Sequence, residues 1–208
     1  MPHSPDHNSD WKDGFLFLGN NLALDFLNTR PVVNGEPREL VPDFPSLLRW
    51  FQAADVVDRP TAAGLEKQFA GTRQAQRALD GMLDFREDLR EQIQRWEKGE
   101  GLQPAAVARL NDLLLRYPLP ARLTQSGKTF ALSDAFLPEA PDDLFAPVVR
   151  CAAWLLAHTD RSRIRQCDAC VLHFLDTSKK GTRRWCSMRL CGNRLKVAAY
   201  QARRRGDD

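Results

Sequence analysis

Apolar positions along the chain recur with two different periods, and the change of period marks the elements. From Asp43 onward, Leu47, Leu48, Phe51 and Ala54 fall at helical spacing. Asp43 is placed to cap this helix, and Pro45 sits in the first turn, where its missing donor would have no partner anyway. Helical spacing also predicts a helix over 61–79, another over 82–96 with Leu89, Ile93 and Trp96 on one face, and a fourth that starts at Pro104 and stops at Tyr117-Pro118. Gly99 to Gly101 ends the third of these. Around Ser126-Gly127 the pattern switches to alternation, which predicts a hairpin over 120–132. A last helix over 141–158 carries Leu144, Val148, Cys151, Leu155 and Leu156.

The N-terminal stretch is less regular. Residues 1–12 are polar and aperiodic, and are expected to form a disordered leader. The apolar run 15–18 stops at Gly19-Asn20, and 22–29 follows with mainly apolar character, which predicts an extended piece, a turn and a helical turn or two. Residues 31–42 read as a loop around Asn34-Gly35. The expected fold class is α+β: a mostly helical domain over 13–160 with a small β element, followed by a small C-terminal module over 161–208. The two cores are expected to be separate.

At 208 residues and 43% hydrophobic, the chain has material for one main core and an appendage. Its longest apolar stretches are too short and interrupted to span a bilayer, so the chain reads as soluble and cytoplasmic, without a membrane partner. The net charge of +3 conceals an asymmetry. Residues 161–208 hold 13 Lys and Arg against 4 Asp and Glu, a formal +9, which leaves −6 on the first 160 residues. An acidic body with a basic arm predicts a polyanionic partner.

The arm also holds four of the five cysteines, as Cys167-x2-Cys170 and, after 15 residues, Cys186-x4-Cys191. Closely spaced pairs in a cytosol-like chain read as metal ligands rather than a disulfide framework. Four thiolates close a tetrahedral Zn2+ site, and a closed site is structural because catalytic zinc keeps a position open for water. One zinc is expected. His173 lies between the pairs as a rival ligand, on what reads as a strand face. Strand, Gly-bearing turn and return strand to Trp185, followed by a helix capped by Ser187, predict a treble-clef-like arrangement. A module of under about 40 residues needs such a metal to fold. Around it, Lys179, Lys180, Arg183, Arg184, Arg189, Arg194 and Lys196 are set to face phosphates, and Asn193 and Arg194 are anchored within a turn of Cys191. DNA is the favoured partner over a merely solvated charged helix; an adaptor for RNA or protein is the alternative reading.

Two stretches carry a resemblance to a known family: 17–29, Phe-Leu-Gly-Asn-Asn-Leu-Ala-Leu-Asp-Phe-Leu-Asn-Thr, and 184–194, Arg-Trp-Cys-Ser-Met-Arg-Leu-Cys-Gly-Asn-Arg. The chain resembles bacterial ABATE-domain proteins with a C-terminal CGNR zinc finger, described as stress-induced transcription regulators; Cys191-Gly192-Asn193-Arg194 supplies the motif itself. Asn20 stands where a second glycine is usual. The resemblance implies a DNA-binding finger joined to a domain that senses something.

In that domain Asp25, Asn28 and Thr29 sit among apolar neighbours, and Arg86 and Arg90 recur one turn apart. They either line a pocket for an anionic or polar small-molecule effector, or pair internally and close a helix. The internal reading is favoured. No catalytic residue is assigned: the chain lacks a Gly-rich phosphate loop, a Gly-x-Ser-x-Gly elbow and a His-Glu-x-x-His helix.

Overall fold

The computed structural model describes residues 10–33 and 35–192. Trp11–Lys12 (β1) pairs antiparallel with Phe15–Leu16 (β2), so the segment expected to be a structureless leader is ordered from Asp10. A short helix, Leu22–Leu27 (α1), follows, capped by the Asn21 side chain on Ala23 N at 2.9 Å. In the loop after it, Val32–Val33 (β3) pairs with Glu36–Pro37 (β4).

Phe44–Ala53 (α2) starts where the capping residues direct it, with Asp43 accepting from Ser46 N at 2.8 Å. The next two helices are Arg59–Phe69 (α3) and Arg73–Glu97 (α4), which moves the break expected at Asp80-Gly81 back to residues 70–72. Gly71, at φ +75, turns the chain there, and Thr72 caps α4 on Ala75 N. Gly81 instead lies inside α4, where an added Cβ would stand 3.2 Å from the Phe145 ring. It is a packing glycine, and the buried stripe Ala78, Met82, Phe85, Leu89 and Ile93 runs past it.

Pro104–Arg116 (α5) is followed by the predicted hairpin, Ala121–Ser126 (β5) with Thr129–Asp134 (β6). A 3-10 turn, Pro141–Leu144, leads into Phe145–His158 (α6). The main core joins α1, α2, α4 and α6 around Trp50, whose ring lies 4.9 Å from Phe51 and 5.2 Å from Phe26.

The C-terminal module holds Ile164–Gln166 (β7) antiparallel to His173–Leu175 (β8), with Cys167 and Cys170 at the tip of this hairpin. The return strand expected before Trp185 does not form: among the described residues, 176–186 contains no strand. Asp176 explains why, because its carboxylate accepts from Ser178 N and Arg183 N at 2.9 and 2.8 Å and curls the segment into a loop. A helical turn, Met188–Gly192, closes the described chain, with Ser187 Oγ accepting from Leu190 N.

A second, smaller hydrophobic cluster combines Cys167, Leu172, Phe174, Cys186 and Cys191 with Leu16 and Leu18. The two cores are therefore not separate in the sense expected from the sequence. The N-terminal segment contributes to both.

Candidate metal centre and its docking to the helical domain

The four cysteine sulfurs all lie within 4.8 Å of one another. Three of the separations are 3.7 Å for Cys170–Cys186, 3.6 Å for Cys186–Cys191 and 3.7 Å for Cys191–Cys170. A zinc ion with four sulfurs at about 2.3 Å sets a tetrahedron with edges of about 3.8 Å. The residues present thus fit the metal in donor type, number and spacing. His173 does not belong to the cluster: its ring is buried and its Nε2 lies 3.4 Å from Glu97 Oε2 on α4.

Two pairs supply the four sulfurs for local reasons. The tight turn at the tip of β7–β8 is closed by Cys167 N donating to Leu172 O at 2.9 Å, and it aims Cys167 and Cys170 the same way. Cys186 and Cys191 bracket the turn in which Cys191 N and Gly192 N both donate to Ser187 O at 3.0 Å. Backbone N–H groups of Ala169 and Cys186 face the Cys167 sulfur, which favours a thiolate there. The neighbouring thiols Cys170 and Cys186 press the Cys167 thiol strongly down, while Cys186 is driven strongly up by its contacts with Cys167 and Cys170.

Two arginines of the expected phosphate-facing set are built into this scaffold. Arg183 lies 4.8 Å over the Phe174 ring and donates to Trp185 O at 2.7 Å and to Cys186 O. It holds the chain on the approach to a ligand, a structural task beside the phosphate-facing one expected from the sequence. Arg184 donates to Asp168 at 2.6 Å, tying the second cysteine pair to the first, yet remains exposed. Arg189 is also exposed, 3.3 Å from Asp10. Lys179 and Lys180 are exposed and make no ion pair among the described residues. Asn193, Arg194 and Lys196 lie outside the described residues.

Asn20 and Asn28, at either end of α1, face this module. Asn28 grips β8 with both ends of its amide: Nδ2 donates to His173 O, and Oδ1 accepts from His173 N, each at 2.9 Å. Asn20 Nδ2 donates to Leu175 O at 2.9 Å, and Leu175 N donates to Gly19 O at 2.8 Å. Asn20 has φ +55, a left-handed conformation that glycine adopts freely and asparagine tolerates. Gly19 is required by close approach, since a Cβ there would stand 2.8 Å from Asp25 N. Asp25 Oδ1 accepts from Gly19 N at 2.7 Å, and burial pushes its carboxyl up to about 7.

The residues read from sequence either as an effector pocket or, as favoured, as internal pairs make internal bonds here, and neither described groove is lined by them. Arg86 is 2% exposed and donates to both Glu39 oxygens at 2.8 and 2.5 Å, to Thr29 at 2.8 Å and to Glu87 at 3.0 Å. Arg90 donates to Leu27 O at 2.6 Å and to Glu87 at 3.1 Å. These contacts fix the C-terminal end of α1 against α4.

A family profile described as "ABATE: Putative stress-induced transcription regulator" matches residues 20–159, and the CGNR zinc finger profile matches residues 163–204. The chain belongs to the ABATE family. No protein of curated function matches the sequence. The four-cysteine cluster falls inside the CGNR finger, and the clamp residues Asn20, Asn28 and Gly19 fall within or beside the start of the ABATE domain. The clamp was missed in the sequence. Its signal is three asparagines set in an otherwise apolar stretch, where each buried amide must find a partner.

Proposed function

We propose that this ABATE protein is a DNA-binding transcription regulator whose CGNR finger, folded around one structural zinc on Cys167, Cys170, Cys186 and Cys191, presents cations to phosphates. The observation that carries the reading is the exposed basic rim of the cysteine cluster: Lys179 and Lys180 without ion partners among the described residues, Arg184 and Arg189 exposed beside one carboxylate each. In sequence this rim continues into Asn193, Arg194 and Lys196. The family description supports the same reading. Phosphate contacts of this kind act through counterion release, so affinity falls steeply with salt. The test is binding of zinc-loaded protein to duplex DNA, single-stranded RNA and heparin at increasing salt. Preferential retention of duplex DNA, with a salt slope lowered by about one unit when Lys179 or Lys180 becomes alanine, supports the proposal. Equal binding to all three polyanions overturns it in favour of an adaptor.

For the sensing role, the groove of about 650 Å3 flanked by α4, α5 and the start of α6 fits better than the buried Asp25–Arg90 set. Arg77, Arg109, Arg116 and Tyr117 line it together with Asp112 and Asp142, and Arg109 is paired with Asp88, which leaves Arg77 and Arg116 beside the Tyr117 ring as the cations a ligand would meet. Cations beside an aromatic ring suit a small anionic ligand. An anionic compound that raises the melting temperature of the wild type, but not of Arg77→Ala, supports this site.

A further inference from the structure

The β5–β6 hairpin is amphipathic but uncovered. Its register sets Leu123 opposite Leu132, with Phe130 two residues along on the same face, while Arg122, Thr124, Ser126, Thr129 and Ser133 take the other. Alternation of this kind is what a sheet with one covered face requires. Yet Leu123, Phe130 and Leu132 are 65%, 63% and 60% exposed, and Leu115 and Leu137, which flank the hairpin in sequence, are also exposed. A hairpin of two strands is at best marginally stable alone in water. The face is about 20 Å long by the rise of its strands. With its flanking leucines it exceeds the scattered apolar residues that monomers normally expose.

We infer that a second copy of the chain extends this hairpin, through antiparallel pairing of the two β6 strands about a two-fold axis, which sets the two apolar faces side by side on one side of the sheet and packs each Phe130 against the second copy's Leu132 across the junction. The edge itself selects this occupant. Ser126 and Thr129 close the two-residue loop, with Gly127 at φ +60, so the N–H and C=O groups of Phe130, Leu132 and Asp134 point away from β5. These form an open edge, because among the described residues β6 has only β5 as a neighbour. Opposite charges bracket that edge, Lys128 at the turn and Asp134 at the base. Antiparallel pairing centred on Ala131 brings each Lys128 to the second copy's Asp134 and each Phe130 to the second copy's Leu132. One register satisfies the edge hydrogen bonds, the charges and the apolar pairing, and only a copy of the same strand offers all three. Equivalent pairing along β5, centred on Thr124, has no such charge match, since it brings Arg122 to the second copy's Ser126 and Leu123 to its Gln125. The result is a four-stranded sheet whose interface is isologous and closed.

The test is sedimentation equilibrium of the full-length zinc-loaded protein, whose chain mass is 23.6 kDa. A dimer is expected. Phe130→Asp should weaken it by at least about tenfold in Kd, with an unchanged far-ultraviolet circular dichroism spectrum to show that the body is intact. Lys128→Asp should weaken it similarly, and Lys128→Asp/Asp134→Lys should restore it. A protein that stays monomeric at 100-micromolar order concentrations, or a dimer indifferent to Phe130→Asp, overturns the proposal. So does failure of the double reversal to rescue, because the register demands it.

Discussion

Replacing Asn28 by alanine tests whether the finger and the helical domain form one cooperative unit. Asn28 is buried, and its two hydrogen bonds to His173 N and O cross the junction at 2.9 Å. Alanine leaves both backbone groups of His173 buried without partners. Each such loss costs about 1–3 kcal/mol, so the substitution should cost about 3 kcal/mol in all, allowing for partial relaxation. Against a total stability of about 5–15 kcal/mol this is a large fraction. The penalty exists only while β8 is in place, and β8 carries the hairpin that presents Cys167 and Cys170. Urea unfolding of wild type and Asn28→Ala, each with zinc and with a chelator, separates the cases. The expected result is a loss near 3 kcal/mol with zinc that shrinks below about 1 kcal/mol without it, a coupling that a double-mutant cycle with Cys186→Ser should reproduce. An equal loss in both metal states would refute the reasoning, because Asn28 would then stabilise only α1.

Metal analysis should find one zinc per chain with sulfur-only coordination, and chelation should shift the unfolding transition of the whole chain rather than of a detached module, since Leu16 and Leu18 share the cysteine cluster. Asp25 has a folded value near 7 against 3.8 for the free group, so the folded state holds the extra proton between these values and stability falls as pH rises through them. From pH 6 to 8 the loss should be about 1.4 kcal/mol, and Asp25→Asn should remove this slope from the pH dependence of the melting temperature. Arg183→Ala should lower zinc retention in a chelator competition while Lys180→Ala should not, separating the scaffold arginine from the rim.

The helices of the body were legible because caps and apolar periodicity agree locally; Asp43 at α2 and Pro104 at α5 each sit where the pattern begins. The α3–α4 break was misplaced because a glycine signals a turn and a close packing contact with the same letter: Gly71 turns, Gly81 packs on Phe145. Cysteine spacing identified the metal cluster since donor type and distance are nearly sufficient for zinc. The fate of Arg86, Arg90 and Asn28 was not legible. Their partners lie 47, 63 and 145 residues away for Glu39, Leu27 and His173, and no local pattern encodes such a meeting. Charge counting likewise cannot tell Arg183, stacked on Phe174, from Lys180 in solvent.

The bond from Ser187 to Asp10 spans 177 residues, and Asn20 and Asn28 wait for acceptors and donors 155 and 145 residues downstream. A chain made from its N-terminus therefore exposes α1 with unpaired amides until its last quarter has left the ribosome. Contacts of such long range are slow to form, and a partly finished core is prone to aggregate. Because β8 and the cysteine turn complete that core, the four sulfurs come together only after the helical domain has been made, and the folding of the N-terminal segment waits on the last part of the chain.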